Sequence, residues 1–304
     1  ANGGMNTRYS TNLFAKNFGP APAHTGTLGI NLAQVIIAPT VTYKVLSNTS
    51  IGVSPLIGIQ SFRAYGLGNF DNPNFSSTPG SVTNRGNNWS YGGGVRVGMQ
   101  SNLTDWLSVG ATWSSKIYMS KLSKYQGLFA DGGAFDIPSN FAVGLAVKPT
   151  SKLVVAFDVQ RIMYGQVPAI ANPGPVTTSF ATFGAYMGAH KMGSANGVGF
   201  GWRNITVYKA GVAYQANDRL TVRAGFDYTD SPIPNDQLLF NILAPGVIKY
   251  TGTLGLTYKP TQHQEVNLAY MHAVRHSQSG ALFGGAMPVQ IGMYENAFEV
   301  GYAW

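Results

Sequence analysis

A hairpin in the middle of the chain constrains the fold more than any other stretch. In the run from Leu220 to Tyr228, Leu220, Val222, Ala224, Phe226 and Tyr228 share one parity, and Thr221, Arg223, Gly225 and Asp227 share the other. This period of two specifies a strand, because successive side chains of a pleated strand leave on opposite faces. Before the polar link at residues 217–219, Tyr208, Ala210, Val212 and Tyr214 alternate with Lys209, Gly211, Ala213 and Gln215 in the same way. Two alternating strands on a tight polar turn make a hairpin. One of its faces is apolar and ends in tyrosines, and the other carries charges of both signs. A soluble sheet could turn the apolar face to a core, and a transmembrane barrel could turn it to lipid.

Composition favours lipid. Charged residues make up 11% of the 304, against roughly 25% in ordinary soluble domains. Aromatics reach 12%. The apolar residues are distributed by alternation, and no run of about 18 of them could form a membrane-spanning helix. There is no cysteine, so disulfides and thiolate metal sites are excluded. The net charge of +8 comes from scattered Lys and Arg without a basic stripe, so nucleic acid is not an expected partner. The first residues, ANGGMNTRYS, lack the basic and then apolar run of a signal peptide, which suggests a mature or truncated chain.

The alternation recurs along the chain. Apolar faces run over Val35–Val45, Ile51–Ile59, Trp89–Met99, Leu107–Trp113, Phe141–Val147, Leu153–Val159, Ile248–Tyr258, Val266–Tyr270 and Phe298–Trp304. With the central hairpin these make about 11 strands of a single all-β domain spanning 1–304. Residues 1–32, rich in Gly, Asn, Thr and Pro, are expected to form an extracellular loop. Pro39 and Pro55 each remove a ladder donor and predict a bulge or kink. Connections near 47–48, 103–105, 149–151, 216–218 and 260–263 are short. Those over 66–88, 119–137, 165–202, 231–247 and 277–290 are long. Short turns at one end and long loops at the other belong to an antiparallel outer-membrane β-barrel. Eleven strands ending on the periplasmic side would start on the extracellular side, so an odd number of leading strands is expected to be missing. Phe298, Val300, Tyr302 and Trp304 at alternate positions fit a terminal strand read by the barrel-assembly machinery.

The stretches APTVTYKV (38–45), DIPSNFAVGLAVKP (136–149), DRLTVRAGFDYTDSPIP (218–234), NILAPGV (241–247) and VNLAYMH (266–272) resemble the FadL/TodX family. Its members are outer-membrane transporters for long-chain fatty acids and other hydrophobic compounds. The resemblance implies a 14-stranded barrel in the bacterial outer membrane, plugged by an N-terminal hatch. The hatch and about three leading strands would then be absent from this chain. It also implies passive uptake, with capture by extracellular loops and release through a lateral opening at a kinked early strand.

A long-chain fatty acid or hydrocarbon needs an apolar groove, and a carboxylate needs a cation. In the loops that resemble the family's entry groove, Leu67, Phe70, Phe75, Leu122, Leu128, Phe129 and Phe135 are the candidate contacts. The alternative is that they pack the loops over the barrel mouth. Arg63, Lys191 and Arg203 are the candidate carboxylate partners. Arg63, however, shares parity with lipid-facing Ile57 and Ile59, and a rim contact with lipid headgroups or lipopolysaccharide phosphates would suit it as well. Interior charges at Lys44, Arg96, Asp158, Lys209, Arg223, Asp227, Glu265 and Glu299 are mixed in sign and expected to pair. The five histidines form no catalytic or metal motif, and the glycine-rich run at 198–202 lacks the Lys and helix of a phosphate loop. No cofactor and no catalysis are expected. The competing reading is a non-specific diffusion porin.

Overall fold

The structure is a computed structural model, and it describes residues 2–14, 26–176, 179–261, 263–282 and 287–304. Fourteen strands form one antiparallel sheet. They are β1 (Asn2–Tyr9), β2 (Leu28–Ile37), β3 (Val41–Leu46), β4 (Thr49–Tyr65), β5 (Asn88–Asn102), β6 (Leu107–Ser114) and β7 (Tyr118–Met119). After them come β8 (Asn140–Thr150), β9 (Leu153–Ile162), β10 (Ile205–Asn217), β11 (Leu220–Thr229), β12 (Tyr250–Thr261), β13 (Gln264–Leu282) and β14 (Met287–Ala303). Each strand of the wall pairs with the next in sequence. β3 continues β2 along β4, and β7 continues β6 along β5, so the wall has twelve strands. No helix among the described residues is long and apolar enough to cross a membrane; the crossing elements are strands.

The expected count of 11 is corrected by β1. Its sequence, NGGMNTRY, has almost no apolar side chains to alternate, yet it pairs with β2 from Asn2↔Val35 to Tyr9↔Leu28. Residues 1–32 are therefore not a loop, because β1 and the start of β2 occupy much of that span; positions 15–25 lie outside the described residues. With twelve strands, the inference that an odd number is missing loses its premise. The expected loop at 277–290 is corrected too. β13 and β14 continue as a ladder to Leu282↔Met287, with 283–286 outside the described residues.

The central hairpin has the register its alternation requires, with Tyr208↔Tyr228, Val212↔Ala224 and Tyr214↔Val222. Val222 is 39% exposed and Phe226 52%, with no second protein layer over them. The same holds for Val35, Ile57, Val97, Phe141, Val143, Phe157, Val212, Leu254 and Phe298. Such an apolar outer surface, flanked by Tyr208, Tyr228 and Tyr250 with their rings side by side in a row, is a lipid belt with an aromatic girdle. In hydrocarbon each unpaired backbone group costs several kcal/mol, roughly, so the ladder must be continuous.

It is interrupted in one informative place. β4 pairs with β3 as far as Val53 and with β2 from Ile57, leaving 54–56 opposite the break at 38–40. Pro39 lies in that break and Pro55 faces it. Pro55 nevertheless keeps its place opposite Val95 on the other side, so the kink expected at Pro39 forms and β4 stays straight. Thr40 and Ser54 join their hydroxyls across the gap at 2.8 Å.

The mid-wall outward position Val212 provides a test of the lipid belt. Val212→Arg should lower unfolding stability in lipid vesicles by about 2–4 kcal/mol, the cost of a charge on the lipid face. Gln215→Arg, on the opposite face of the same strand, should leave it nearly unchanged. Urea titration of tryptophan fluorescence measures both.

Candidate functional site

The long loops do not stand away from the barrel. They fold over and into its mouth and form one buried core with the upper strand ends. Inward residues of β2 and β4 supply its floor: Leu28, Ile30, Phe62 and Ala64 are 4% exposed or less. The loops add residues from 67–82, 122–135, 167–198 and 233–247. The helix Phe180–Ala189 starts at a capping box, where Ser179 Oγ accepts from the Thr182 amide at 3.2 Å. It turns Phe183 and Met187 into the core.

All seven candidate groove residues lie in this core or against it. Leu67, Phe70 and Leu122 are fully buried, Phe129 and Phe135 nearly so, and Phe75 and Leu128 partly. They are not displayed on an exposed groove, so that expectation is corrected: burying their rings is what closes the mouth. They divide into two aromatic groups. Phe70 packs edge-on against Phe14 at 5.2 Å and Phe240 at 5.6 Å, with Phe75 and Phe183 behind it. Phe129 lies 4.7 Å from both Phe62 and Phe135, and Phe62 meets Tyr125 at 4.9 Å. Burial pushes the Tyr125 phenol above its ordinary value, against two backbone hydrogen bonds that pull it down.

Among the described residues, two cavities within this packing bear on the site. The smaller, of about 30 Å³, lies among Phe62, Leu67, Leu128, Phe129, Met192 and Leu243. The larger, of about 240 Å³, lies between the wall and the loops. Ile30, Leu32, Phe62, Phe129, Phe135, Phe200 and Ala244 make it apolar, and Gln34, Asp136, Tyr164 and Trp202 give it polar edges. The edges are mostly occupied. Gln34 Nε2 donates to Gln60 Oε1 at 2.6 Å. Asp136 pairs with Lys116 at 3.0 Å and accepts from the Met119 amide at 2.8 Å. Trp202 Nε1 donates to Asn241 Oδ1 at 2.6 Å, and its ring meets Tyr164 edge-on at 5.0 Å. Burial raises the Tyr164 phenol.

Below the plug the interior changes character. A cavity of about 520 Å³ is lined by Thr40, Thr42, Ser50, Ser54, Arg96, Gln100, Ser108, Thr112 and Asp158, with glycines between them. The interior charges are held largely by neutral partners. Arg96 donates to Ser114, Lys209 to Gln160 and Arg223 to Thr257. Lys259–Glu265, at 3.5 Å, is an ion pair of the lower rim.

None of the three candidate carboxylate partners lines either upper cavity. On β4 the inward residues are 54, 56, 58, 60, 62 and 64, so Arg63 points outward, with its guanidinium 4.7 Å over the Tyr65 ring. This is the side that its shared parity with Ile57 and Ile59 implied. Arg203 is exposed beside Trp202, and Lys191 precedes cavity-lining Met192. Sequence reasoning missed Phe62, Tyr164, Phe200, Trp202 and the segment 238–247. A long loop carrying the nearly unbroken apolar run LLFNILAPGV was the available sign of burial. No cluster of three or more His, Asp or Glu that could hold a metal occurs among the described residues.

A family model for outer membrane protein transport proteins (OMPP1/FadL/TodX) matches residues 1–281. Among solved structures, the toluene transporter TodX of Pseudomonas putida is 19% identical with a TM-score of 0.64, covering 100% of this chain and 77% of that one. A Pseudomonas aeruginosa FadL homologue is 15% identical with a TM-score of 0.62, covering 98% and 71%. The toluene transporter TbuX of Ralstonia pickettii is 16% identical with a TM-score of 0.56, covering 90% and 68%. At such identities the likeness is one of fold. No curated protein matches the sequence.

Asn241 is fully buried, and its amide also donates to the carbonyls of Phe200 and Gln237 at 2.7 and 2.6 Å. Asn241→Leu would orphan three buried groups, each costing about 1–3 kcal/mol. Limited proteolysis should then cut the 231–249 loop in the variant and spare it in the parent, while the heat-resistant migration of the folded barrel persists.

Proposed function

Because the chain belongs to the OMPP1/FadL/TodX family of outer membrane transport proteins, we propose that it mediates passive uptake of a hydrophobic compound through the 240 Å³ cavity. The compound would be a long-chain fatty acid, a hydrocarbon or a related molecule. The single observation that carries the proposal is the lining of that cavity: Ile30, Leu32, Phe62, Phe129, Phe135 and Phe200 on an apolar interior, with no Lys or Arg. Its volume falls just below the roughly 300–1,000 Å³ of pockets that enclose a drug-sized ligand. It therefore suits a compact hydrocarbon, or one segment of a long acyl chain. A fatty acid would have to leave its carboxylate near the mouth, where Lys191 and Arg203 are the available cations.

Leu67, Phe70, Phe75, Leu122, Leu128, Phe129 and Phe135 act in this scheme as the rings and side chains a ligand displaces on the way in, from a closed mouth rather than an open groove. The plug supports a transporter over a diffusion porin, since the apolar core fills the mouth above the wide lower lumen. Transport then needs binding and displacement of packed side chains, with no chemical step.

The exit would be lateral. An apolar ligand has little reason to enter the lower lumen, where hydroxyls, Arg96 and Asp158 face it. Just beneath the cavity, Leu32 and Gln34 lead down β2 to the broken ladder at 38–40. There Ile36, Ala38, Leu56, Ile117, Met119 and Ile137 form a separate apolar cluster. The broken ladder beside an apolar cluster is the place in the wall best suited to pass an apolar molecule to lipid. Outer-membrane lipid, including lipopolysaccharide, would receive it, and the strand ending at Trp304 would engage the barrel-assembly machinery during biogenesis.

Ala244 lines the cavity and is 8% exposed. Ala244→Trp should fill it and lower uptake of toluene or oleate into proteoliposomes at least tenfold. A large steady ion conductance in planar bilayers, unaffected by this variant, would instead establish the porin alternative. A second prediction concerns the break. In a chain without native cysteine, the pair Thr40→Cys and Ser54→Cys should cross-link when oxidised and block uptake, and reductant should restore it. Full uptake by the oxidised pair would place the exit elsewhere.

A further inference from the structure

The outward face of the wall changes chemistry sharply near the top of β1, β2 and β4. Lower down the outward pairs are apolar, Ile37↔Ile57 and Val35↔Ile59. Higher up the row becomes Asn6↔Asn31↔Arg63, and above it Arg8↔Gly29↔Tyr65. Arg8 and Tyr65 are therefore two strands apart, roughly 10 Å. Outward Trp89 and Tyr91 on β5, 55% and 59% exposed, mark the boundary between hydrocarbon and headgroups at this level.

Tyr125 ties further cations to the same rim. Its hydroxyl accepts from the Ala64 amide at 3.2 Å and donates to the Gly86 carbonyl at 2.7 Å. Arg63 and Arg85 flank those two residues, and both act on the phenol: Arg63 through its charge, Arg85 through a backbone hydrogen bond. Lys124, next to Tyr125, donates its Nζ to the Asn87 carbonyl at 2.9 Å. Arg8, Arg63, Arg85 and Lys124, with Arg8, Arg85 and Lys124 exposed, thus belong to segments that meet in one sector of the rim. The ion pairs among the described residues are Lys116–Asp136, Lys249–Asp230 and Lys259–Glu265, and none includes any of the four. Arg63 Nε is buried with no hydrogen-bond partner. That nitrogen is closed to solvent, so an external anion would engage the guanidinium through its other N–H groups.

We propose that this sector is a binding site for the phosphate groups of an outer-leaflet lipid, of the kind carried by lipid A. The inference rests on the outer-membrane placement of the barrel and names a partner for its outer rim, apart from the transport cavity. Charge complementarity selects the occupant: four unneutralised cations at headgroup depth, above a lipid-facing apolar surface that seats acyl chains. Arginine can engage phosphate through two parallel N–H bonds, and Lys124 can add a point charge.

The test uses the full chain, folded in neutral detergent and challenged with lipid A, dephosphorylated lipid A or inorganic phosphate, with native mass spectrometry counting bound lipid. Lipid A should stay bound and be lost as salt rises. Dephosphorylated lipid A should bind at least tenfold more weakly, and inorganic phosphate at the same concentration should not displace lipid A. The combined Arg63→Gln, Arg85→Gln and Lys124→Gln variant should lose lipid A binding at least tenfold. Should that variant fail to show the folded barrel's heat-resistant migration, Lys124→Gln alone, a change at an exposed side chain, should still weaken binding several-fold. Equal binding of the dephosphorylated lipid, equal binding by the folded variant, or displacement by inorganic phosphate would each overturn the proposal. Uptake of toluene by the folded variant should equal that of the parent. Failed uptake by the parent with lipid A binding intact would remove the transport proposal alone.

Discussion

The fold depends on the requirement that backbone amides in hydrocarbon find partners within the sheet. Everything else in the wall follows from it. Strands pair with their sequence neighbours across short turns at one end and long loops at the other, and alternation follows because one face of each strand meets lipid. Where the ladder breaks, at 38–40, the structure compensates locally. Thr40 and Ser54 bond across the gap, and Thr40 also donates to the Ala38 carbonyl at 3.1 Å. Both prolines of this region fall at the break, so the two missing donors are gathered where no ladder has to be maintained. This break in the ladder thus lies beside an apolar cluster.

That cluster has its own steric condition. Ile117 and Met119 lie against the inner surface of β4 and β5 at Gly58, Gly92 and Gly94. A Cβ at Gly58 would stand 2.9 Å from Met119 Sδ, and one at Gly92 would collide with the Tyr118 carbonyl and Met119. These glycines serve close approach rather than unusual backbone angles. They let β7 rejoin β5 above the irregular stretch at 115–117 while two large apolar side chains occupy the lumen. A separate apolar cluster thereby lines the lumen beside the broken ladder, below the plug and next to the Gln34–Gln60 and Lys116–Asp136 pairs.

How much of this the sequence made legible follows the same physics. The wall strands could be read because lipid on one side and a lumen on the other impose a period of two, as at 220–228. β1 escaped because Asn2–Tyr9 runs along β2 with Asn, Gly and Thr, residues that carry no hydrophobic contrast to alternate. The upper end of β13 and β14 escaped because it rises above the membrane, where Ser277, Gln278 and Ser279 can form a ladder without apolar partners. The apolar loop residues were visible, but whether they faced water or one another depends on contacts between distant loops, such as Phe70 with Phe240. Parity alone placed Arg63 outward, and the structure agrees. The cavity could not be read, since it is the space left between Phe135, Phe200 and Ala244 after three separate loops have packed.

The arrangement of polarity then decides what kind of passage the barrel can provide. A diffusion porin needs an open, hydrated path with charges facing water along its length. Here, among the described residues, a packed aromatic core lies above a cavity lined by hydroxyls, Arg96 and Asp158. A small ion gains nothing from the aromatic cavity and would leave its hydration shell to enter it, at a cost of several kcal/mol, roughly. An apolar molecule meets the reverse: it is stabilised among Phe62, Phe129 and Phe135, at roughly 25 cal/mol for each Å² it buries, and is opposed by the polar wall beneath. On the proposed route, an interior that disfavours an ion favours a hydrocarbon, and the polar lower lumen would direct that hydrocarbon toward the side.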